Sequence, residues 1–468
     1  MIYLILLLSI ILRLINVNQS LWLDEAAQVT MSQLSIQEII FGRIGDFHPP
    51  LSYIIYHYWL NFGRSEIILR LPTILAGAGS VFAIYLLGKS LFSKKTGLLA
   101  AFLLCVNPFH IYYSQEVRMY SFACLFSLIS TYFFMMNTKQ MTSNKKISIG
   151  YVISSLLLLF THYMGGFIIL SQLMIALVFR QTRNYLNLFL VFIFSIPLLP
   201  LLFSQLKSGV NIDDYLPGWR SILSLSPLKS IPLTLFKFTA GRIDFLDNRL
   251  YFLIISITLL LIGLIIFRIV RKNTGLVILK LFMLFVVPVV LTLLISFKIP
   301  LFQPFRLIII LPILILLEAI SLAADNLINK FLLAGLLTVS VLGFLVQISE
   351  PRLQREDWKG ASQFVSKNLK IDSVAVFAWP IPFPPFEWYV GSENTISLIE
   401  KFPADSNTFK KHESQIASKK SLYLFEYLQD LSDPKRLTQQ WLNEHNFILE
   451  QRYNFEGVGF IDYYERSP

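Results

Sequence analysis

From Ile2 onward the chain repeats one pattern: a long apolar run, a short polar break, then another apolar run. The runs fall near residues 2–18, 67–88, 96–113, 119–137, 148–161, 164–180, 185–203, 250–268, 276–296, 306–323 and 331–348. A helix needs about 20 residues, at about 1.5 Å rise each, to cross a hydrocarbon layer. The pattern therefore predicts about eleven transmembrane helices. The break His162-Tyr163-Met164-Gly165-Gly166 favours two short helices over one long one between 148 and 180. Arg13 interrupts the first run, and neither a basic leader nor a small-residue cleavage site flanks it, which predicts a retained first helix.

After residue 350 the periodicity changes. Asp357–Leu369 has helical spacing, Ser373–Ala378 and Ser421–Phe425 read as strands, and Pro434–His445 reads as a helix. Two further strands are expected near Phe447–Phe455 and Val458–Glu465, and Trp379–Pro385 reads as a proline-rich turn. The fold class that follows is a polytopic all-α membrane domain, residues 1–350, with a small soluble α/β domain, residues 351–468. Within the membrane domain two segments are neither spans nor tight turns. Residues 19–66 read as a first outer loop with interfacial helices, and residues 204–249, with Pro217, Pro227 and Pro232, as an outer lid.

Charge sets the direction. The chain is 55% hydrophobic, 15% charged and carries a formal net charge of +11. Residues 351–468 hold 14 basic and 16 acidic side chains, so the positive excess lies in the membrane part. It sits in short loops: Lys89, Lys94 and Lys95; Lys139, Lys145 and Lys146; Arg180 and Arg183; Arg268, Arg271 and Lys272; Lys330. The positive-inside rule then places the N-terminus in the cytoplasm and, with an odd number of spans, the C-terminal domain outside. No basic stripe lies on a soluble face, which argues against a nucleic-acid partner. Cys105 and Cys124 fall inside apolar runs and read as small buried hydrophobes.

With this topology, unusual polar residues from five stretches gather on the outer side: Asp24 and Glu25; His48-Pro49-Pro50; Gln115-Glu116-Val117-Arg118 with Tyr120; His162 and Tyr163; and Gln303-Pro304-Phe305-Arg306. Ionisable groups near lipid are costly, and a convergent polar cluster beside an apolar wall is the usual form of a site. Each also has a structural reading: a membrane-boundary acid for Asp24, an ion pair for Glu116 and Arg118, satisfied interfacial histidines for His48 and His162, a snorkelling anchor for Arg306. Glu318, near the inner end of its span, is assigned no catalytic role.

These motifs, in this order, resemble type C (GT-C) membrane glycosyltransferases. The similar members are the bacterial protein O-mannosyltransferase-like and aminoarabinose-transferase-like enzymes of the glycosyltransferase family 39 type. The likeness covers most of residues 1–350, and a soluble tail after Glu356-Asp357-Trp358-Lys359 is also like that of bacterial members. It implies a GT-C architecture in the bacterial plasma membrane and a sugar donor carried on polyprenyl phosphate. It further implies transfer on the outer face with inversion, toward a lipid, glycan or protein acceptor of the cell envelope. By motif, Asp24 resembles the catalytic aspartate, Arg306 the arginine that holds the donor phosphate, and Glu116 with Arg118 a supporting pair; Glu25, His48, Tyr120, His162 and Tyr163 would complete the pocket. Ser52-Tyr53 stands where the protein mannosyltransferases continue with Gly-Lys, which puts a protein acceptor in doubt.

The chemistry agrees with that assignment. Displacing phosphate from an anomeric carbon needs a base for the acceptor proton, and Asp24 is the carboxylate best placed. It also needs positive charge where leaving-group charge grows, which suits Arg306 and Arg118. Inversion takes one displacement and needs no second catalytic carboxylate. Asp24, Glu25, Glu116, His48 and His162 are of metal-ligand type, but no dense spacing and no Asp-x-Asp in the first loop points to a required metal. No resident cofactor is expected beyond the lipid-linked donor. A lipid-linked-sugar transporter is the main alternative; it would favour midplane charges and repeat halves, which this chain lacks. A non-catalytic envelope assembly protein is the third reading, and it would tolerate loss of Asp24.

Overall fold

The computed structural model describes residues 1–41, 46–139, 144–210, 226–243, 248–271, 275–379, 383–399, 403–405, 408–409 and 412–467. These form two compact units. One gathers residues 1–17, 34–206 and the chain from 224 to 353; the other joins Asn18–Gln33 and residues 207–210 to the chain from Gln354 onward.

The first unit is helical, and each of the eleven apolar runs carries helix. Among the described residues six helices are long and apolar enough to span: Glu66–Leu91, Tyr120–Thr138, Thr182–Val210, Asn248–Arg271, Leu276–Ser296 and Leu327–Ser349. Ile2–Leu14, Gly165–Val178 and Ile308–Leu322 are shorter. The expected break at His162 is real, with Lys145–Thr161 on one side and Gly165–Val178 on the other. The run at 96–113 is not one straight rod. Lys94–Val106 ends at Asn107, and Pro108–Ser114 leaves it at 64°. Pro108 cannot donate into the preceding turn, and the Asn107 side chain caps the new helix by accepting from the His110 amide at 2.9 Å.

Small residues set a close helix approach. A Cβ on Gly88 would lie 2.9 Å from the Gly97 Cα, and one on Gly97 would lie 2.6 Å from the Tyr85 carbonyl oxygen. Glu66–Leu91 and Lys94–Val106 therefore pack backbone against backbone, as small residues permit in lipid. The helix Leu311–Leu322 is buried on nearly every side, which explains a sequence that is apolar all round except at Glu318 and Ser321. The segment expected as a lid begins as a continuation of helix Thr182–Val210 and later holds helix Pro227–Ala240. Residues 211–225 and 244–247 of that segment lie outside the described residues.

The second unit is an α/β sheet domain. Its strands are β1 (Ser373–Phe377), β2 (Thr395–Ser397), β3 (Ser421–Phe425), β4 (Phe447–Phe455) and β5 (Gly459–Arg466), in the order β2-β1-β3-β5-β4. β2, β1 and β3 run parallel, while β5 pairs antiparallel with both β3 and β4. β1 and β3 are buried along their whole length, as parallel central strands are. Helices Trp358–Asn368 and Leu437–Glu444 fall where their periodicity placed them. Two elements differ from expectation. β2 is only three residues long, too short to show a period. Pro384 and Pro385 open a helix, Pro384–Val390, rather than closing a turn, because proline suits the first helical turn; residues 380–382 of that stretch lie outside the described residues.

Candidate active site

The first unit builds a polar cluster from five separate segments. The short helix Pro108–Ser114 is tied down by buried groups. Asn107 donates to the Phe238 carbonyl at 2.6 Å, and Gln115 donates to the Arg13 carbonyl at 3.1 Å. The Arg13 guanidinium is fully buried and donates to Ser9 Oγ at 2.7 Å, and it lies 2.6 Å from His110 Nδ1. These anchors fix the turn Glu116-Val117-Arg118, in which the Arg118 amide bonds the Glu116 carbonyl at 2.7 Å. Glu116 and Arg118 are both buried.

Arg118 reaches across to the first long loop. Its guanidinium donates to Asp46 Oδ2 at 3.1 Å, joining residues 72 positions apart. The same oxygen accepts a short hydrogen bond from the Tyr53 hydroxyl, and Asp46 Oδ1 accepts from the Phe47 amide at 2.6 Å. Gln205 donates to the Asp46 carbonyl at 2.7 Å and accepts from the Tyr163 hydroxyl at 2.6 Å. His48 Nε2 lies 3.8 Å from Asp46 Oδ1. Beyond it, the His48 and His162 rings sit 5.7 Å apart, and His162 lies 6.1 Å from the Tyr120 ring. Tyr120 packs 5.7 Å from Phe305, over which the Arg306 guanidinium lies at 5.6 Å. Arg306 also donates to the Pro300 carbonyl at 2.8 Å.

Electrostatics sorts these groups. Burial alone would raise the Asp46 carboxyl, but Arg118 and the bonds from Tyr53 and Phe47 outweigh it and hold it well below the usual carboxylate range. Burial drives the His48 imidazole down to about 3, against the pull of Asp46 and with help from Arg118 and Arg306. His162 is lowered by burial and then by His48, Arg306 and Arg118. At neutral pH the cluster thus holds an ionised Arg118–Asp46 pair, a further cation in Arg306 and two neutral imidazoles. The buried Nε2 of His162 has no hydrogen-bond partner among the described residues. Such a set can orient an anionic group and exchange hydrogen bonds with hydroxyls.

Six of the residues singled out from sequence therefore come together in this unit: His48, Arg118, Tyr120, His162, Tyr163 and Arg306. Glu116 joins them through the turn it shares with Arg118. Asp24 and Glu25 belong to the other unit, in the first turn of helix Leu23–Met31. Glu25 is fully buried there. The sequence reading missed Asp46, Tyr53 and Gln205. A carboxylate two positions before His48 in an apolar loop was the available signal. Arg242 was also missed; it donates to the Tyr112 hydroxyl and lies over that ring at 4.4 Å. Among the described residues no three His, Cys, Asp or Glu side chains group as a metal site.

Residues 47–204 match a family described as dolichyl-phosphate-mannose-protein mannosyltransferase, which is less than half of the chain. No curated protein matches the chain in sequence. Among solved structures, ArnT from Cupriavidus metallidurans bound to undecaprenyl phosphate superposes with a TM-score of 0.63 at 11% identity, over 100% of this chain and 99% of ArnT. Its apo state gives 0.61 at 10% identity, over 100% and 98%. The oligosaccharyltransferase AglB from Archaeoglobus fulgidus, in complex with an inhibitory peptide and a dolichol-phosphate, gives 0.52 at 12% identity, over 100% and 74%. The chain has the membrane fold of type C glycosyltransferases.

Proposed function

We propose that this chain, with its GT-C fold, is an inverting glycosyltransferase that moves a sugar from a polyprenyl-phosphate donor to an acceptor on the outer face of the membrane. The observation that supports the reading most is the cluster of Arg118, Asp46, His48, His162 and Arg306, which falls largely within the segment similar to the mannosyltransferase family. The lipid phosphates named with ArnT and AglB support a polyprenyl-phosphate donor here. A lysine- and arginine-rich set of loops supports a cytoplasmic N-terminus, with the site and the domain 351–468 outside the bacterial plasma membrane.

In this reading the acceptor oxygen attacks the anomeric carbon from the face opposite the phosphate. Asp24 takes the acceptor proton, the bond from the anomeric carbon to the phosphate oxygen breaks, and its electron pair leaves on polyprenyl phosphate. Arg306 donates to the departing phosphate, where negative charge grows. Arg118, held by Asp46, adds positive charge to the same region. The neutral imidazoles of His48 and His162 accept from or donate to sugar hydroxyls, which a charged imidazolium could only do as a donor. Glu25, Glu116, Tyr120 and Tyr163 shape the pocket. The acceptor is a lipid, glycan or protein of the envelope.

The test uses full-length protein in nanodiscs, a panel of undecaprenyl-phosphate sugars, and detection of released undecaprenyl phosphate. Wild type should release it, and Asp24→Asn should lose about a hundred- to ten-thousand-fold in rate. Equal release by both would remove Asp24 from the role of base. Passage of intact labelled donor across proteoliposomes without release would replace the transferase with a transporter.

A further inference from the structure

The unit that joins Asn18–Gln33 to the C-terminal sheet holds a second buried polar cluster, centred on Glu356. The Glu356 carboxylate accepts from Trp358 Nε1 at 2.7 Å on one oxygen and from the Tyr427 hydroxyl at 2.9 Å on the other. The backbone N–H of Leu23 also favours the ionised form of this carboxylate. Leu23 is the first residue of helix Leu23–Met31, so this amide is one of those that the helix itself leaves without an acceptor. The residue before it, Trp22, supplies no side-chain cap. A carboxylate at a helix N-terminus also meets the positive end of the helix dipole. Glu356 thus stands, from far along the chain, where a capping aspartate would act locally.

The partners of Glu356 are packed among aromatic rings. The Trp358 ring lies 4.9 Å from Phe383, 4.9 Å from Tyr427 and 6.0 Å from Phe425, stacked on the last. The segment leading into the helix is tied to the same unit at three more points. The Leu21 amide donates to the Tyr389 hydroxyl at 2.8 Å, the Lys359 amide to Ser20 Oγ at 2.9 Å, and the Arg355 amide to Gln19 Oε1 at 3.0 Å. The Arg355 guanidinium lies over the Trp22 ring at 5.9 Å. One residue beyond Leu23 stands Asp24, whose charge acts on both Glu356 and Tyr427.

We propose that Glu356 is a positioning residue for Asp24: its carboxylate, held by Trp358 and Tyr427, anchors the start of the helix that carries Asp24 and adds a second negative charge near it. The proposal rests on the reading of Asp24 as the general base. It gives the C-terminal domain a part in the reaction. The groups that act on Glu356 are consistent with a shared negative field. Burial raises its carboxyl most, the bonds from Trp358 and Tyr427 and the Leu23 amide oppose this, and Asp24 adds to the rise. Removing one of two like charges makes the other easier to ionise.

Full-length wild type, Glu356→Gln, Glu356→Asp and Asp24→Asn are compared in nanodiscs by two readouts. One is release of undecaprenyl phosphate from an undecaprenyl-phosphate sugar across pH. The other, independent of turnover, is carbodiimide labelling of the protonated Asp24 carboxyl, followed across pH by peptide mass spectrometry. Glu356→Gln should lower kcat about tenfold with KM within about twofold, since a neutral amide cannot accept on both of its terminal atoms. Its Asp24 labelling midpoint, and the acid limb of its rate profile, should move down by about half to one pH unit. Glu356→Asp should recover part of both. If Glu356→Gln does not accumulate, Tyr427→Phe, which removes one donor, should lower kcat about threefold at unchanged KM. An unchanged labelling midpoint and kcat in Glu356→Gln, with Asp24→Asn inactive, overturns the positioning role and leaves the base in place. Full activity of Asp24→Asn overturns the base, and the positioning role with it.

Discussion

Each unit of the molecule contains an Arg–Asp pair that joins separate segments, and the two are built differently. In the membrane unit Arg118 and Asp46 are exposed by only 5% and 14%, and they join a loop to a turn 72 residues away. In the sheet unit Arg452 meets Asp462 through both carboxylate oxygens, at 2.6 and 2.7 Å, across neighbouring strands β4 and β5, where the two residues are in register. There the acid is fully buried but the arginine is 46% exposed. The first pair ties a loop to a distant turn. The second reinforces a hairpin that backbone hydrogen bonds already hold. A charge pair matters to a fold in proportion to what else would hold the same segments together, and to how much water can replace the missing partner.

The largest expected effect follows from breaking the membrane pair on one side. Arg118→Leu leaves the Asp46 carboxylate buried among Tyr53, Phe47 and His48, and should cost about 3–5 kcal/mol of stability together with most of the transferase activity. Adding Asp46→Asn should return a good part of the stability, because the uncompensated charge is gone, but none of the activity. Thermal unfolding in detergent and donor turnover, measured on the single and double variants, check both statements. A double variant no more stable than Arg118→Leu would mean that the pair is not what closes the loop.

The contrast also shows what the sequence made legible. Six long helices were readable because lipid imposes one rule on them, a long apolar run; runs such as Ile2–Leu14 and Gly165–Val178 form helices but stay shorter than that rule asks. The two central parallel strands were readable because burial on both faces makes them continuous apolar runs. Arg118, His48 and His162 stood out because charge and imidazole are conspicuous in an apolar chain. Asp46 did not, because its importance lies in a contact with Arg118 that no local pattern encodes, and because the loop around it read simply as interfacial. Gln205 was hidden for the converse reason: it sits on the continuation of a helix that the sequence reading ended at residue 203. Glu356 appeared only as part of a motif, since nothing local indicates that it acts at a helix start at Leu23. Patterns of burial are written along the chain, and pairings between distant polar groups are not.

A smaller effect sharpens the same comparison through pH. His48 titrates near 6.5 when unfolded but is held down to about 3 in the folded cluster, first by burial. Its folded form therefore binds fewer protons than its unfolded form between those values. Stability is unaffected above about pH 6.5 and falls as the pH drops below it, by about 2 kcal/mol at pH 5. His48→Gln should flatten that part of the stability profile while leaving the sheet unit's behaviour unchanged. An identical acid slope in wild type and variant would locate the acid sensitivity elsewhere.

The smallest effect belongs to the sheet pair. Arg452 also donates to Glu426 at 3.0 Å, so its loss leaves two carboxylates facing each other across the end of β3 and β5. Yet the arginine side is open, and water can reach the Glu426 and Asp462 oxygens that it vacates. Burial and the nearby Asp462 already raise the Glu426 carboxyl, so one proton shared between the two acids relieves part of the repulsion. Arg452→Ala should then cost only about 1–2 kcal/mol, and less at pH 5 than at pH 8, the reverse of the pH trend set by His48. Donor turnover at neutral pH should stay within about twofold of wild type, a difference of about 0.4 kcal/mol in barrier. Chemical denaturation followed by tryptophan fluorescence, at the two pH values, measures the cost directly. If Arg452→Ala proves as costly as Arg118→Leu, then it is pairing itself, and not burial and loop closure, that decides what these charges are worth.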